Sequence, residues 1–501
     1  MRTASMEKVK AIGNAFPHSP GSIPMGVYPV AGILGGIFCL AVTANPRFLL
    51  GTLVVIPVLL FLKPQYSAYL FVLSLGLTGA FPVARGDRGI GLFYYGDAHM
   101  TFADTTLLVS FFPILLAIIA RREKLIEWSV VDTAFLAFFL ATCLSAAFAY
   151  DRVTGFVGAV QVFEFWLLAR LVAQSLSVPK HITNFILFVV VMALAELALG
   201  IGQLSPQLGS GYLDMSGTFA SSYFFGLFLG WAAMLSYAQF VAAASWNRAA
   251  RRFWFAAFGV LASGVLISGK RHQWIALSIT ILVVGLTQKS RKMLLAVGLV
   301  GAVVTVALSV PAVQENLENK VDQVLRWTEP GTQGYTRARL VQASWQIFTE
   351  NPLLGIGPKN FRVVSDNYLD RLDTGGRRQV APEQYVVGKL AEQGIIGYTA
   401  FLFFLFVVVR SSYRVAQGVE LPKAVTLPVF GFFIYMVFEL GEWFATERGH
   451  MIFLFVGLLV AAQTRMYRRR PSPAAVKSPS GLLLQVSRTL DEPQRFTKRL
   501  A

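Results

Sequence analysis

The feature that most constrains this chain is a series of long apolar runs. Residues 27–44, 131–148, 182–204, 218–243 and 293–310 each approach or exceed the roughly 17–25 residues that a helix needs to cross a bilayer. Only 14% of the residues are charged and the mean hydropathy is +0.57, whereas a soluble globular chain carries about 25% charged residues. The sequence therefore predicts an all-α, polytopic membrane bundle, because a spanning helix satisfies its own backbone hydrogen bonds.

The net charge of +17 raises the alternative of a nucleic-acid-binding protein. The basic residues, however, form short clusters beside the apolar runs, at residues 121–122, 248–252, 289–292 and 465–470. Such clusters are typical of cytoplasmic loops between membrane spans. We therefore expect a multi-pass membrane protein, with the lipid bilayer and not nucleic acid as its partner.

Placing the basic clusters in the cytoplasm gives about fourteen spans, with both termini cytoplasmic. The segments 48–62 and 66–81 are short, and a re-entrant pair is their alternative. The predicted spans are residues 27–44, 48–62, 66–81, 105–120, 131–149, 154–175, 182–204, 217–243, 253–269, 272–287, 293–310, 394–410, 425–441 and 450–464. The predicted outer segments are 82–104, 205–216, 311–393 and 442–449.

This alternation divides the chain into five parts. Residues 1–26 form a cytoplasmic tail, 27–310 the main bundle, 311–393 a mostly helical outer loop, 394–464 the last spans, and 465–501 a basic, disordered cytoplasmic tail. Such a long loop in a compact protein is usually functional.

Cys39 and Cys143 lie in apolar runs, and the five histidines are scattered, so we expect neither a metal site nor a cofactor.

The outer loop contains the stretch NPLLGIGPKNF at residues 351–361. A helical pattern through Leu340, Trp345 and Ile347 leads into it, and we expect this helix to end at residues 351–352 and to lie on the membrane surface. Glycines at 355 and 357 favour positive φ or close backbone approach. A third helix is expected to begin at Pro382 and to end at Gly394, with the next span starting at once.

Charged residues at the outer face are the candidates for function. Lys270 and Arg271 join two spans with almost no loop, where cations are disfavoured, although snorkelling to lipid headgroups is the alternative. His272 follows them as a hydrogen-bonding neighbour. Glu383 has a structural alternative, because a carboxylate in the first turn of a helix complements the helix dipole.

Three charged residues lie within apolar runs, at Glu164, Arg170 and Glu196. Glu164 and Arg170 are too far apart along the chain for an i,i+4 pair. Two interpretations therefore remain: these residues form tertiary pairs, or they line a polar cavity.

In their order along the chain, these pieces resemble the O-antigen ligase and O-antigen polymerase family of bacterial envelope glycosyltransferases. The resemblance covers residues 260–410 and rests on four motifs. These are Ser268-Gly269-Lys270-Arg271, the helix from Arg337 to Trp345, the stretch at 351–361, and the segment from Glu383-Gln384 to the sequence LAEQGIIG at 390–397.

The resemblance implies an inverting, metal-independent glycosyltransferase that acts on undecaprenyl-diphosphate-linked glycans at the periplasmic face. It implies that Arg271 and Arg337 bind the diphosphate, with Arg339 in reserve, and that Glu383 activates the acceptor hydroxyl. The accompanying substrate-binding set is Lys270, His272, Lys359, Arg362, Gln384 and Tyr385. Ligases of the family typically carry His-Asn where this chain has Glu383-Gln384, which favours a polysaccharide polymerase.

Two alternatives remain for the activity. A ligase would transfer the glycan to a lipid A core or a protein, whereas a polymerase would transfer it to another lipid-linked repeat unit. A precursor transporter or flippase is the alternative from another class, but we find no convincing internal repeat, and the charge cluster lies at one face and not at the membrane midplane. Flippase and chain-length regulator proteins are the expected protein partners.

Overall fold

We analysed a computed structural model of the chain. The structure describes residues 66–76, 94–95, 98–99, 107, 110, 125–176, 178–204, 215–217, 219, 222–242, 248–268, 271–308, 329, 332–369, 385–418, 421–439 and 446–469. The predicted spans 27–44 and 48–62, nearly all of the predicted span 105–120, the predicted N-terminal tail 1–26 and residues 470–501 of the predicted C-terminal tail lie outside these residues. The fourteen-span count therefore stays a prediction.

The described part of the chain is helical. In chain order its helices are α1 (Tyr66–Gly76), α2 (Val130–Ala147), α3 (Arg152–Ser175), α4 (Pro179–Leu204), α5 (Ser222–Ala242), α6 (Arg248–Ile267), α7 (Arg271–Thr287), α8 (Lys292–Leu308), α9 (Gln333–Glu350), α10 (Phe361–Val364), α11 (Tyr385–Gln417), α12 (Lys423–Glu439) and α13 (Thr446–Arg469). A minimal antiparallel pair, β1 (Tyr94–Tyr95) and β2 (Ala98–His99), is the one departure from the all-α expectation among these residues.

Six of the described helices are long and apolar enough to cross a membrane, namely α2, α3, α4, α5, α6 and α11. The apolar parts of five other helices are shorter, and these helices are α1, α7, α8, α12 and α13. Each of these helices coincides with a predicted span, so the prediction of a multi-pass helical membrane protein is confirmed.

Helix boundaries differ from the prediction where polar contacts outweigh hydropathy. α5 begins at Ser222 and not at residue 217. Gly217 has a left-handed φ of +56°, and the Gln203 side chain binds the backbone of residues 216 and 217, with its Oε1 accepting from both amide nitrogens at 3.1 and 3.0 Å. α6 begins earlier than predicted, at Arg248, and includes the basic cluster in its first turn.

Within the α2–α3 hairpin, Arg170 forms a tertiary ion pair. Arg170 Nη1 lies 3.2 Å from Oδ2 of Asp132, whose side chain is 2% exposed, and Trp166 Nε1 donates to Oδ1 at 3.0 Å. Asp132 also completes a capping box with Ser129 at the start of α2. Glu164 instead lies 3.6 Å from His450 Nε2 on α13. Both charges thus have tertiary partners.

The core of the bundle is centred on α5. Its side chains are almost all buried, and it packs against α4, α6, α7 and α12. A second aromatic layer joins α2, α11 and α13 through Phe135, Phe404 and Phe453, with ring centroids 5.6–5.9 Å apart. Contacts of α11 with α12 connect this aromatic layer to the core around α5.

Hydrogen bonds between helices establish which helix ends share a side of the bundle. Gln273 at the start of α7 donates to Tyr223 O at the start of α5 (3.0 Å), and Gln239 near the end of α5 donates to Ala424 O at the start of α12 (2.7 Å). The start of α12 follows the end of α11 directly along the chain. The starts of α7 and α11 therefore lie at one end of the bundle, which we call the turn end.

Removing the carboxylate of Asp132 should destabilise the hairpin. Asp132→Ala deletes the capping box, the Trp166 hydrogen bond and the partner of Arg170, and the expected cost is about 2–4 kcal/mol. Thermal unfolding of the detergent-solubilised protein, followed by loss of the monodisperse chromatographic peak, measures this. Glu329→Ala, which removes an exposed carboxylate, is the control; equal unfolding temperatures for the two variants would contradict the assignment.

Candidate functional site

The stretch at residues 351–361 forms a tight turn after α9. α9 begins at the N-cap Thr332, whose hydroxyl accepts from Tyr335 N at 3.2 Å, and it ends at Asn351 as predicted. Its buried side chains Leu340 and Ile347 pack with Ile356 of the turn in a small separate core. Trp345 does not join this core: it is 53% exposed, with its ring 5.3 Å from Phe348.

The backbone of the turn needs residues that accept positive φ. Gly355 has φ +66° and Gly357 has φ +99°, which confirms the prediction for these two glycines. Lys359 also adopts a positive φ, of +60°, which is uncommon for a residue with a side chain. Together they fold the chain back sharply between α9 and α10.

The turn docks on a break in α11. Gly394 has φ +61° and ψ −170°, so the long helix divides into residues 385–393 and 395–417, at the place where the sequence predicts a helix end followed by a span. Ile356 N donates to Ala391 O at 3.0 Å and Gly357 N to Glu392 O at 2.8 Å. In return, Ile395 N donates to Pro352 O at 2.8 Å. The turn thus satisfies backbone groups that the break leaves without helical partners.

Close approach explains why glycine occupies both sides of this contact. A Cβ atom added to Gly355 would lie 2.4 Å from the carbonyl carbon of Glu392, and one added to Gly394 would lie 2.3 Å from Leu353 O. Backbone atoms cannot move aside as a flexible side chain can. Both positions therefore exclude side chains by space as well as by φ.

The connection between α2 and α3 also joins the turn, which the sequence analysis missed. Ser145 Oγ donates to Leu354 O at 2.7 Å, and Tyr150 N donates to Ile356 O at 2.8 Å. The fully buried Asn360 side chain accepts from Asp151 N at 2.7 Å and donates to Asp151 O at 3.2 Å. We call this assembly of the 351–361 turn, the Gly394 break and the 145–151 corner the junction.

The helical segment before Gly394 buries charged and polar side chains. Lys389 Nζ lies 3.4 Å from Glu392 Oε2, and both residues are at most 6% exposed. Gln393 is fully buried, and its Nε2 donates to Thr142 Oγ1 of α2 at 3.3 Å. None of these residues was among the predicted site residues, although their polarity within an otherwise apolar stretch marks them.

A hydrogen bond also joins the end of α9 to the chain that follows α10. The Tyr368 hydroxyl donates to the Glu350 carboxylate. This hydrogen bond stabilises the neutral phenol and, with some burial, raises the pKa of Tyr368 to about 12. The contact closes the small core formed by α9, the turn and α10.

The predicted site residues fall into three sets. Lys270, Glu383 and Gln384 lie outside the described residues. Arg271 and Tyr385 are the first residues of α7 and α11, where the structure describes the backbone alone. The side chains of the remaining residues are described, and they are His272, Arg337, Arg339, Lys359 and Arg362.

Four of these described cations belong to one unit around the turn. Arg337 and Arg339 lie in the first two turns of α9; Arg337 is exposed, and Arg339 is half-buried and hydrogen bonds Gln342 of the same helix. Lys359 and Arg362 are half-buried on the turn and on α10. These cations therefore lie on α9, the turn and α10, whose apolar side chains share one small core.

The second group of predicted residues lies at the start of α7. The His272 ring is 5.3 Å from the Tyr223 ring, and the helix packs against α5, α8 and α12. α12 contacts α11, which in turn contacts α9. The start of α7 and the turn thus lie toward the turn end of the bundle, and α12 and α11 connect the helices that carry the two groups. Within the described residues, no group of three or more His, Cys, Asp or Glu side chains is arranged to hold a metal ion.

The fold and the junction define a multi-pass helical membrane protein with a polar, cation-bearing unit at one end of its bundle. Residues 255–402 match a family model described as O-antigen ligase. This range runs from α6 through α9, the turn and the Gly394 break, and so contains every predicted site residue. The match confirms the resemblance of this region to the O-antigen ligase and polymerase family. No curated protein matches the chain.

The match points to a glycosyltransferase-type enzyme.

A side chain at Gly394 should disrupt the junction. Gly394→Ala places a Cβ against Leu353 O and forces a left-handed φ, which alone costs about 1–2 kcal/mol. We expect a lower unfolding temperature and loss of glycan transfer. Gly298→Ala on α8 is the matched control, because its added Cβ meets no atom within 4 Å. Similar behaviour of the two variants would show that the close contact is absent in solution.

The Lys389–Glu392 pair should behave as a unit. Lys389→Met leaves a carboxylate buried beside an apolar side chain, with an expected cost of about 3–5 kcal/mol. Adding Glu392→Gln removes that charge, so the double variant should unfold at a higher temperature than Lys389→Met alone. A double variant that is less stable than either single variant would argue against the pairing.

Proposed function

We propose that the protein polymerises undecaprenyl-diphosphate-linked oligosaccharide repeat units into an exopolysaccharide or O-antigen at the outer face of the cytoplasmic membrane. The observation that carries this proposal is the junction. It holds the first half of α11, which begins next to Glu383 and Gln384, against the helix that bears Arg337 and Arg339. All of these residues lie inside the region that matches the family.

The cations at the turn end suit a diphosphate. Arg271 at the start of α7 and Arg337 on α9 are the proposed clamp, because the planar guanidinium binds phosphate oxygens through two parallel hydrogen bonds. Negative charge grows on the diphosphate as the glycosidic bond breaks, so a clamp held in place before the reaction stabilises the transition state.

The other cations would guide and hold the substrate around this clamp. Lys270 and His272 flank Arg271 along the chain. Arg339 lies on the same helix as Arg337, while Lys359 lies on the turn and Arg362 on α10. These three cations would extend the positive field toward the diphosphate or an acidic glycan.

Glu383 is the proposed base, with Gln384 and Tyr385 binding the sugars. The Glu383 carboxylate takes the proton of the acceptor hydroxyl, whose oxygen attacks the anomeric carbon of the donor. The bond from that carbon to the diphosphate breaks, and undecaprenyl diphosphate leaves with the electron pair. A single displacement inverts the anomeric centre, and no metal takes part. A glutamate is a weaker base than the histidine of the ligases unless burial raises its pKa.

The charge distribution supports an outer location for the site. Exposed basic residues lie at the end of the bundle opposite the turn end, among them Arg248 and Arg252 at the start of α6 and Lys289 and Arg291 between α7 and α8. Under the positive-inside rule that end is cytoplasmic. The junction then faces the periplasm, where lipid-linked repeat units are assembled into polymer.

A ligase is the second candidate, because the family that the model represents is described as O-antigen ligase. It would use the same donor and the same clamp, but the acceptor would be a lipid A core or a protein. Glu383-Gln384 in place of His-Asn favours the polymerase. A transporter is less well supported, because the proposed site cations lie toward the turn end of the bundle and not at its midplane.

The test is glycan production in a deletion strain complemented with Glu383→Gln, Arg271→Ala or Arg337→Ala. We expect each variant to abolish high-molecular-weight glycan and to leave single repeat units, with a loss of at least about a hundredfold in the rate of transfer for the base. Arg248→Ala, at the opposite end of the bundle, is the matched control and should make normal polymer. Membrane levels of every variant are compared by immunoblot.

Two outcomes would overturn parts of this proposal. If Glu383→Gln makes normal polymer, the carboxylate merely begins a helix, and His272 is the next candidate for the base. If purified protein neither elongates nor transfers a lipid-linked repeat unit, the enzyme assignment fails. Transfer to a lipid A core in place of a second repeat unit would identify a ligase.

A further inference from the structure

An apolar groove of about 460 Å³ runs between α2 and α3. Small side chains open it, because Ala146 and Ala159 leave space between helices that elsewhere pack through large aromatics. Phe139 and Phe163 lie at the far part of the groove, with the half-buried Cys143 between them and the near part. The one charged side chain in its lining is Arg152, the first residue of α3.

The groove begins beside the junction. Pro358 of the turn packs against Gly158, the neighbour of the groove residue Ala159, where a Cβ would lie 3.0 Å from Pro358 Cβ. Arg152 follows directly after Asp151, whose backbone is held by Asn360. The charged end of the groove is therefore its turn end, on the same side of the bundle as the proposed clamp.

We infer that this groove binds the isoprenoid chain of a lipid-linked diphosphate, with Arg152 contacting the phosphate side of the molecule. The inference rests on the proposed function, since it assigns a location to the lipid part of the same donor. Two properties of the groove carry it. The lining is apolar along its length, and a single cation lies at the end next to the junction.

The dimensions fit one prenyl chain. Phe139 and Ala147 are eight residues apart on α2, a rise of about 12 Å, which accommodates a few isoprene units and leaves the rest of a long chain in the bilayer. Branched isoprenoid methyl groups suit a groove lined by alternating small and aromatic side chains. The arginine adds selectivity for a phosphate group over a neutral lipid headgroup.

Photo-crosslinking tests occupancy without requiring glycan transfer. The probe is a polyprenyl diphosphate with a diazirine in its third isoprene unit, incubated with the full-length protein in nanodiscs of phosphatidylcholine. We expect crosslinked peptides from residues 139–163. A tenfold excess of unlabelled polyprenyl diphosphate should remove them, and the same excess of phosphatidylglycerol should not. Equal competition by phosphatidylglycerol, or crosslinks confined to other helices, would overturn the inference.

A groove-filling variant tests its role in the reaction. Ala159→Trp fills the groove, whereas Leu140→Trp places the same side chain at a 58% exposed position of α2 outside its lining. With a long-chain donor, Ala159→Trp should raise KM about tenfold or more, because burial of several methylenes is lost. With a two-isoprene donor both variants should match the wild type. A tenfold effect on both donors would indicate a folding defect and would count against the groove.

The role of Arg152 is tested by removing or keeping its positive charge. Arg152→Ala should weaken competition by polyprenyl diphosphate in the crosslinking assay, and Arg152→Lys should restore part of it; equal competition in all three proteins would remove Arg152 from the proposal. Failure of the proposed function is distinguishable from failure of this inference. In that case the wild type transfers sugar from neither donor, while the specific crosslinks to α2 and α3 persist.

Discussion

The structure depends on the backbone hydrogen bonds between the 351–361 turn and the broken helix α11. A helix interrupted at Gly394 leaves carbonyl and amide groups without partners next to a membrane, where each such group costs several kcal/mol. Ile356 and Gly357 supply the amides for the carbonyls of Ala391 and Glu392, and Pro352 supplies a carbonyl for Ile395. The turn and the break thus stabilise each other, and neither is a plausible structure alone.

This mutual dependence determines how the site is positioned. In the segment before Gly394, Ala391 packs in the small core with Leu340 and Ile347 of α9. The 145–151 corner, held by Ser145 and Asn360, ties the same turn to α2 and α3. The angle between the cation-bearing helix and the start of α11 is therefore set by three separate parts of the chain, which is what a site with little tolerance for misplacement requires.

Much of this architecture could be predicted because the sequence of a membrane span alone indicates that the span is helical. A long apolar run must form its own hydrogen bonds, and glycines at 355, 357 and 394 mark places where only a residue without Cβ fits. The partners of polar side chains could not be predicted in this way. Nothing in the spacing of Asn360 or Arg170 indicates that they bind Asp151 and Asp132, since a long-range hydrogen bond depends on tertiary packing. The same limit applies to the predicted base Glu383. The order of motifs locates this residue along the chain, but the side chains that surround it depend on tertiary packing.

The polarity of the molecule changes in one direction along the proposed path of the donor. An apolar groove between α2 and α3 ends at Arg152, beside the turn; the turn unit then carries Lys359, Arg362 and the α9 arginines. A lipid-linked glycan has the same sequence of properties, with an isoprenoid chain, a diphosphate and then sugars. Because the turn packs against α3 through Pro358 and Gly158, the groove and the cations cannot shift independently. A donor bound by its tail would thus present its diphosphate at a fixed distance from the junction, and binding energy from the lipid would serve to orient the bond that breaks.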